Sequence, residues 1–291
     1  MKIWCPYTNQ DLDESETSPE HIIPLSLGGC DDFAIPVDKK FNSTVGSEID
    51  GKYANDFLVM LRRNAFDVRG HSKKRPIPIV KKGSMEDGRC VQINMDKASE
   101  FIEIYDPRSK KTLAAKGGEK IGMSIKMDTD IYLQLTSKIA LSAGYFIYGE
   151  WFKNNVYHND LRILMKGLNK CSKEELKSVK TKIFNFLSAN VPDDQRQELE
   201  LQKALCKALK GSLVAFTPGP RNIGITVGIL GEFVGMVNIP ANIDGFPRND
   251  ADHDLGHVVT IVDGQLKRRN QRSYFEQIAG LLEKQEEKKD A

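Results

Sequence analysis

Two prolines and a double glycine within eleven residues, Pro19-Glu20-His21-Ile22-Ile23-Pro24-Leu25-Ser26-Leu27-Gly28-Gly29, limit what this chain can fold into more than any other stretch of it. Proline fixes φ and removes a backbone donor, so no helix and no central strand runs through Pro24, and Gly28-Gly29 marks a reversal. One short strand, Glu20–Ile23, fits before the turn and a second, near Ala34–Val37, fits after it. A helix beginning around Lys39 is expected to carry Asn42 back toward the first strand. The segment Met1–Gly51 as a whole reads as compact and rich in turns.

Further along, Tyr53, Phe57, Leu58, Leu61 and Ala65 recur at helical spacing and predict one amphipathic helix over Lys52–Phe66. His71-Ser72-Lys73-Lys74-Arg75-Pro76-Ile77-Pro78 continues to Lys81-Lys82, and its prolines and charge predict an extended basic linker over residues 71–88. The expected division is therefore residues 1–70, the linker, and a larger unit over residues 89–291. In that unit Cys90–Met95, Phe101–Tyr105 and Ile121–Met127 predict strands. Ile131–Phe152 predicts an apolar helix that buries Tyr132, Leu133, Ile139, Leu141, Tyr145 and Phe146, with Ser142-Ala143-Gly144 allowing close packing. Helices are expected at Leu161–Gly167, at Lys173–Leu187 behind a Ser172/Glu175 capping box, and at Gln195–Lys210. Strands follow at Leu213–Phe216, Ile223–Leu230, Phe233–Ile239 and Val258–Val262, the middle pair joined at Gly231-Glu232, and a charged helix closes the chain at Tyr274–Lys289. The fold class expected is α+β, a small N-terminal ββα unit plus a larger C-terminal α+β domain.

Lys and Arg total 42 against 40 Asp and Glu, a formal charge of +2, so affinity for nucleic acid has to come from local clustering. The densest basic stretch holds Arg62, Arg63, Arg69, His71, Lys73, Lys74, Arg75, Lys81 and Lys82. It can be a solvated linker, or Arg62, Arg63, Arg69, Lys73, Lys74 and Arg75 can contact the phosphates of DNA. Five scattered cysteines without a Cys-x-x-Cys pair fit reduced thiols and predict no structural zinc. The N-terminus lacks a basic and apolar leader pattern, and no apolar run reaches membrane-spanning length, so a cytoplasmic protein with no membrane contact is expected.

Hydrolysis of a phosphodiester needs a water, a base to deprotonate it and a cation for the charge on the phosphoryl oxygens. Glu20, His21 and Asn42 are the residues whose chemistry matches: an imidazole as base, with a carboxylate and an amide oxygen as ligands for a hard divalent ion. Neighbouring side chains on a strand point to opposite faces, so Glu20 and His21 reach one phosphate only through a twist or bulge.

The run E-H-I-I-P-L-S-L-G-G followed by F-N-S-T-V-G-S-E-I-D resembles the HNH endonucleases of the ββα-metal class, over Cys5 to about Gly70. The resemblance implies a metal-dependent DNA endonuclease in which His21 is the general base and Glu20 and Asn42 bind Mg²⁺, Mn²⁺ or a similar divalent cation. It also implies settings such as restriction or phage defence. Family members often carry a zinc knuckle of two Cys-x-x-Cys pairs; here those positions read Cys5-Pro6-Tyr7-Thr8 and Asp38-Lys39-Lys40-Phe41, so packing by Trp4, Phe33 and Phe41 is expected in its place. The family's middle residue, which orients the base, falls near Phe33, and a backbone carbonyl is the expected substitute. Two alternatives stand beside this reading: a degenerate HNH fold that binds nucleic acid without cutting it, and a nuclease acting on RNA. The larger domain is expected to recognise, regulate or assemble, through a protein partner or a second copy.

Two other motifs are read as structural. Asp250, Asp252, His253, Asp254 and His257 fit a polar surface loop before a strand, and Thr217-Pro218-Gly219-Pro220-Arg221 is turn chemistry.

Overall fold

The computed structural model describes residues 2–70, 73–96, 102–113, 120–186, 188, 191, 193–247 and 255–287. It begins with a two-stranded ribbon, β1 (Lys2–Cys5) and β2 (Gln10–Asp13), followed by a second hairpin, β3 (Thr17–His21) and β4 (Ala34–Asp38). The hairpin runs directly into α1 (Lys39–Val45), because the Asp38 carboxylate accepts the Phe41 amide at 2.7 Å and starts the helix. β3, β4 and α1 thus follow one another along the chain. Past a π-helical turn, Gly46–Gly51, the chain ends this helical run in α2 (Lys52–Ala54).

The glycines of the hairpin loop are there for geometry. Gly28 has φ +82°, and a Cβ on Gly29 would lie 1.8 Å from the carbonyl oxygen of Ile23. The Pro24 carbonyl accepts from both Leu27 and Gly29, closing the loop, and Ile22 N–H bonds to Phe33 O at 2.9 Å beyond the last paired residues.

The single helix expected over Lys52–Phe66 is interrupted. Asp56 leaves helical geometry and caps a new helix, α3 (Phe57–Ala65), by accepting from Leu58 and Val59, while also accepting the Tyr132 hydroxyl at 2.9 Å. The expected linker is only partly a connector: β5 (Ile79–Met85) pairs with β6 (Cys90–Asn94) and β9 (Ile121–Met123). With β7 (Glu103–Asp106) and β8 (Lys111–Leu113) they form a five-stranded antiparallel sheet, ordered β8-β7-β6-β5-β9, around Val80, Val91, Ile93 and Ile104.

α4 (Thr129–Tyr148) is the apolar helix expected from Ile131 onward. It stops at Gly149, whose φ of +50° turns the chain into a separate α5 (Glu150–Asn155). Tyr132, Leu133, Ile139 and Leu141 are buried as expected; Tyr145 and Phe146 are only partly covered. Gly144 gives Phe152 its place, since a Cβ there would lie 2.1 Å from the ring. α6 (Asn159–Met165) matches expectation. The helix expected over Lys173–Leu187 is only α7 (Lys173–Ser178): the Ser172/Glu175 capping box forms, but the Asp160 carboxylate takes the amides of Lys180 and Thr181 and ends it. The remainder becomes an edge strand, β10 (Lys182–Asn185).

After α8 (Asp193–Ala208) come β11 (Ser212–Pro218), β12 (Asn222–Ile229), β13 (Glu232–Pro240), β14 (His257–Val262), β15 (Gln265–Asn270) and α9 (Gln271–Glu287). β15 was not foreseen, because its Lys267-Arg268-Arg269 run is polar. Among the described residues these strands form a six-stranded antiparallel sheet, ordered β10-β13-β12-β11-β14-β15. Val214 and Phe216 face α4 and the N-terminal unit, while Leu213 and Ala215 face α8 and α9, so both sheet faces are covered. The first face shares one apolar core with Cys5, Ile22, Leu27, Phe33, Ile35 and Val37, so the hairpin unit is packed into the larger fold. No described helix is long and apolar enough to cross a membrane.

Candidate active site

The β3–β4 register decides where the expected site residues point. Glu20 stands opposite Ile35 and His21 opposite Ala34, and since side chains alternate, the two occupy opposite faces of the hairpin. Glu20 is on the inner face, 6% exposed. His21 is on the outer one, its side chain 24% exposed. Glu20 and His21 therefore make their side-chain contacts on different sides of the hairpin, Glu20 with Lys138 and His21 with Asp31.

Asn42 is brought back to β3. Its Nδ2 donates to Ser18 Oγ at 3.0 Å and to the Pro19 carbonyl at 3.1 Å. Both partners demand the amide nitrogen on that side, or accept it, which turns Oδ1 away from them. The first turn of α1 thus locks onto the peptide preceding Glu20.

His21 Nε2 lies 2.8 Å from Asp31 Oδ1, and a carboxylate is acceptor-only, so Nε2 carries a proton; in the neutral ring the lone pair is then on Nδ1. Asp31 comes from the loop after Gly29 and takes the orienting role for which a backbone carbonyl was expected. Phe33 is instead a core residue, 0% exposed, its ring edge-on to Phe146. At the positions where family members carry the knuckle, the Asp38 amide donates to Cys5 Sγ at 3.3 Å. Phe41 packs against Tyr7, and Trp4 against Tyr145.

Glu20 is engaged from the other side of the interface. Lys138, fully buried in the middle of α4, forms an ion pair with Glu20 and donates to both carboxylate oxygens of Asp50, at 2.8 and 2.7 Å. The π-helical turn is what presents Asp50 here. Burial opposes the Lys138 ammonium, but Asp50 and Glu20 outweigh it and hold its pKa above the ordinary value. Asp50 is pushed up to about 6, mainly by burial and further by the Glu20 charge, against the opposing pull of Lys138. One ammonium serves two carboxylates, and Asp50 carries the excess.

These residues do not fit a divalent ion as they stand. The carboxylate expected to bind it is sealed and already neutralised by an ammonium, and among the described residues there is no group of three or more His, Cys, Asp or Glu side chains placed to hold a metal.

The expected phosphate-contacting stretch is largely neutralised. Arg62 pairs with Glu232, Arg63 is buried and donates to the Ala54 carbonyl, Arg69 grips Asp67 with two hydrogen bonds, and Arg75 pairs with Asp67 and Asp96. Lys73 and Lys74 are exposed. His71 and residues 250–254 lie outside the described residues; His257 is buried in β14 and accepts from Arg268 Nε at 3.3 Å, so it is not part of a surface loop.

Sequence reasoning missed Asp31, Asp50 and Lys138. A lysine in the middle of a strongly apolar helix was the available signal, since a buried ammonium requires a carboxylate partner. Comparison of the chain with protein-family models, with curated proteins and with solved structures gave no match.

Proposed function

We propose that this chain is a nuclease of the HNH type, hydrolysing phosphodiester bonds of DNA, with His21 as the base. The observation that supports this most is the β3–β4–α1 unit itself, which docks Asn42 on the Pro19 carbonyl and holds His21 outward on Asp31. In that arrangement His21 Nδ1 takes a proton from water as the oxygen attacks phosphorus, and the adjacent Asp31 carboxylate stabilises the imidazolium that forms. The P–O bond to the leaving oxygen breaks, and that oxygen is protonated from solvent.

The charge pattern supports a polyanionic substrate. Thirteen Lys and Arg stand against seven Asp and Glu between Lys73 and Lys126, in a chain whose overall charge is +2. Lys81, Lys82, Arg108, Lys110, Lys111, Lys120 and Lys126 are exposed there and make no ion pair among the described residues. Tyr105 stands in register with Gln92 and Thr112 on the open face of the same sheet, a ring available for base stacking. The five-stranded sheet, more than the Arg62–Arg75 stretch, is thus the surface suited to a nucleic-acid backbone.

A second reading, a binding module that does not cut, is favoured by the Lys138–Glu20 pair. Plasmid DNA and single-stranded RNA incubated with Mg²⁺ or Mn²⁺ separate the two. Cleavage that disappears in a folded His21→Ala variant supports the nuclease, and salt-sensitive binding with no cleavage by either protein supports the binder. A self-associated form is detected by light scattering of the same preparation.

A further inference from the structure

A cleft of about 670 Å³ opens between α1 with the π-helical turn and α6 with α7, so its walls belong to both the hairpin unit and the larger fold. That volume falls inside the range of about 300–1,000 Å³ usual for small-molecule sites. Phe41, Val45 and Ile49 give it one apolar wall, and Ile163 and Met165 another. Arg162 lines the same cleft, its Cζ 5.6 Å from the centroid of the Trp4 ring. Its Nε donates to the Pro6 carbonyl and its Nη1 to His158 Nδ1, each at 2.7 Å, while the buried Nη2 has no hydrogen-bond partner. Among the described residues no carboxylate pairs with this cation: the two acids of the cleft, Glu48 and Glu175, are held by Lys170 at 2.7 Å and by Lys166. The lining thus carries three cations against two carboxylates, and Arg162 is the one left without a counter-charge. Burial pushes its pKa down to about 10, which still leaves it charged near neutral pH.

We propose that this cleft binds a small organic anion, a carboxylate or phosphate carried on an apolar body, with Arg162 as the partner of the anionic group and Phe41, Val45 and Ile49 against the body. A largely buried charge without a counter-ion is costly, and an anion compensates it where a water molecule supplies only a hydrogen bond. The guanidinium presents its donors in a rigid fork matched to carboxylate and phosphate oxygens, and here the Nη2 arm of that fork is the one without a partner. Nη2 is covered by its neighbours, so an anion reaches it with a side-chain rotamer change at the cleft wall, of a kind common on binding. The apolar wall selects for an apolar body, since a bare inorganic ion would give up hydration without using that surface. The Glu48–Lys170 pair already crosses from the π-helical turn to the larger fold, and a ligand here would bridge the same two units and stabilise their packing. The inference stands apart from the nuclease reading, because it uses none of His21, Asp31, Glu20 and Asn42.

The test uses the full chain with four probes: naphthoate, naphthyl phosphate, the neutral naphthalenemethanol and inorganic phosphate. Titration calorimetry and melting temperature are read for wild type, Arg162→Gln and Thr44→Trp. Thr44 is exposed on α1 at the cleft, so an indole there fills the cleft and leaves the Arg162 hydrogen bonds in place. Wild type is expected to bind at least one naphthyl anion about 10–100-fold more tightly than naphthalenemethanol, the usual worth of a hydrogen bond to a charged group. Its melting temperature should rise with that anion. Arg162→Gln should lose the preference for the anion, and Thr44→Trp should lose binding altogether. Whichever of naphthoate and naphthyl phosphate binds more tightly identifies the anionic group. The proposal is overturned if neither anion binds at least about tenfold more tightly than the neutral probe. It is equally overturned if inorganic phosphate binds as tightly as the naphthyl anions, if folded Arg162→Gln keeps the preference, or if binding persists in Thr44→Trp. Should Arg162→Gln fail to fold, Thr44→Trp decides.

Discussion

His21 Nε2 and Asp31 Oδ1 lie 2.8 Å apart, joining the end of β3 to the far side of the Gly28-Gly29 loop. Ten residues of chain separate them, yet the loop geometry sets the imidazole's tautomer. Because Asp31 is itself exposed, the pair orients the imidazole without burying the carboxylate.

It follows that His21→Ala and Asp31→Ala should differ in degree. Loss of the base is expected to lower the cleavage rate by about 10²–10⁴-fold, the usual contribution of general base catalysis. Asp31→Ala should cause a smaller loss, because the ring remains and only its orientation is freed; Asp31→Asn should fall between Asp31→Ala and wild type. Single-turnover cleavage of a labelled duplex, with circular dichroism to establish folding, measures this.

Lys138 should matter to stability more than any surface lysine. Removing one partner of a buried ion pair typically costs about 3–5 kcal/mol, because the carboxylates left behind are uncompensated. Urea unfolding of Lys138→Met is expected to show a loss of that order, and Lys138→Met/Asp50→Asn a smaller one than Lys138→Met alone. A double variant less stable than the single one would contradict the shared-ammonium geometry.

The pH dependence of folding should contain two opposing contributions. Asp50 has its pKa raised from 3.8 to about 6, so the folded state binds the proton more readily. Its stabilising contribution is full below about pH 4 and is lost as pH rises through about 6. His158 is lowered from 6.5 to about 4, chiefly by burial and then by the Arg162 charge, and its contribution is full above 6.5 and lost as pH falls through about 4. Its ring is held neutral, bonded to the Lys153 carbonyl and to Arg162. Difference curves of unfolding free energy against pH, wild type minus Asp50→Asn and wild type minus His158→Asn, should therefore slope in opposite directions.

Phe33 provides a control for these effects. It is fully buried against Phe146, so Phe33→Ala is expected to cost about 3–5 kcal/mol, the usual range for truncating a buried aromatic ring. A chemical role at that position would instead show as lost cleavage in a protein of unchanged melting temperature.

Much of the N-terminal unit was legible in the residues because its signals are local. Pro24, Gly28 and Gly29 admit one kind of loop, Asp38 caps the helix that follows, and the period-2 alternation of β3 and β4 sets their faces. The breaks at Asp56 and Gly149 and the early end of α7 were not legible. Asp56 is drawn away by Tyr132, and α7 is ended by Asp160, and in both cases the competing partner lies far along the chain.

What the amino-acid order determined by itself was the mixed α+β character and the presence of an imidazole, an acid and an amide within a short stretch. Only the tertiary structure decided what surrounds them. A side chain's partners depend on which distant segments pack against it, and the packing of α4 on the hairpin brought Lys138, more than a hundred residues from Glu20, into the acid's own pocket. The same packing left His21 outside with Asp31. Strand alternation separated the two neighbours, and the buried interface determined which of them would meet Lys138.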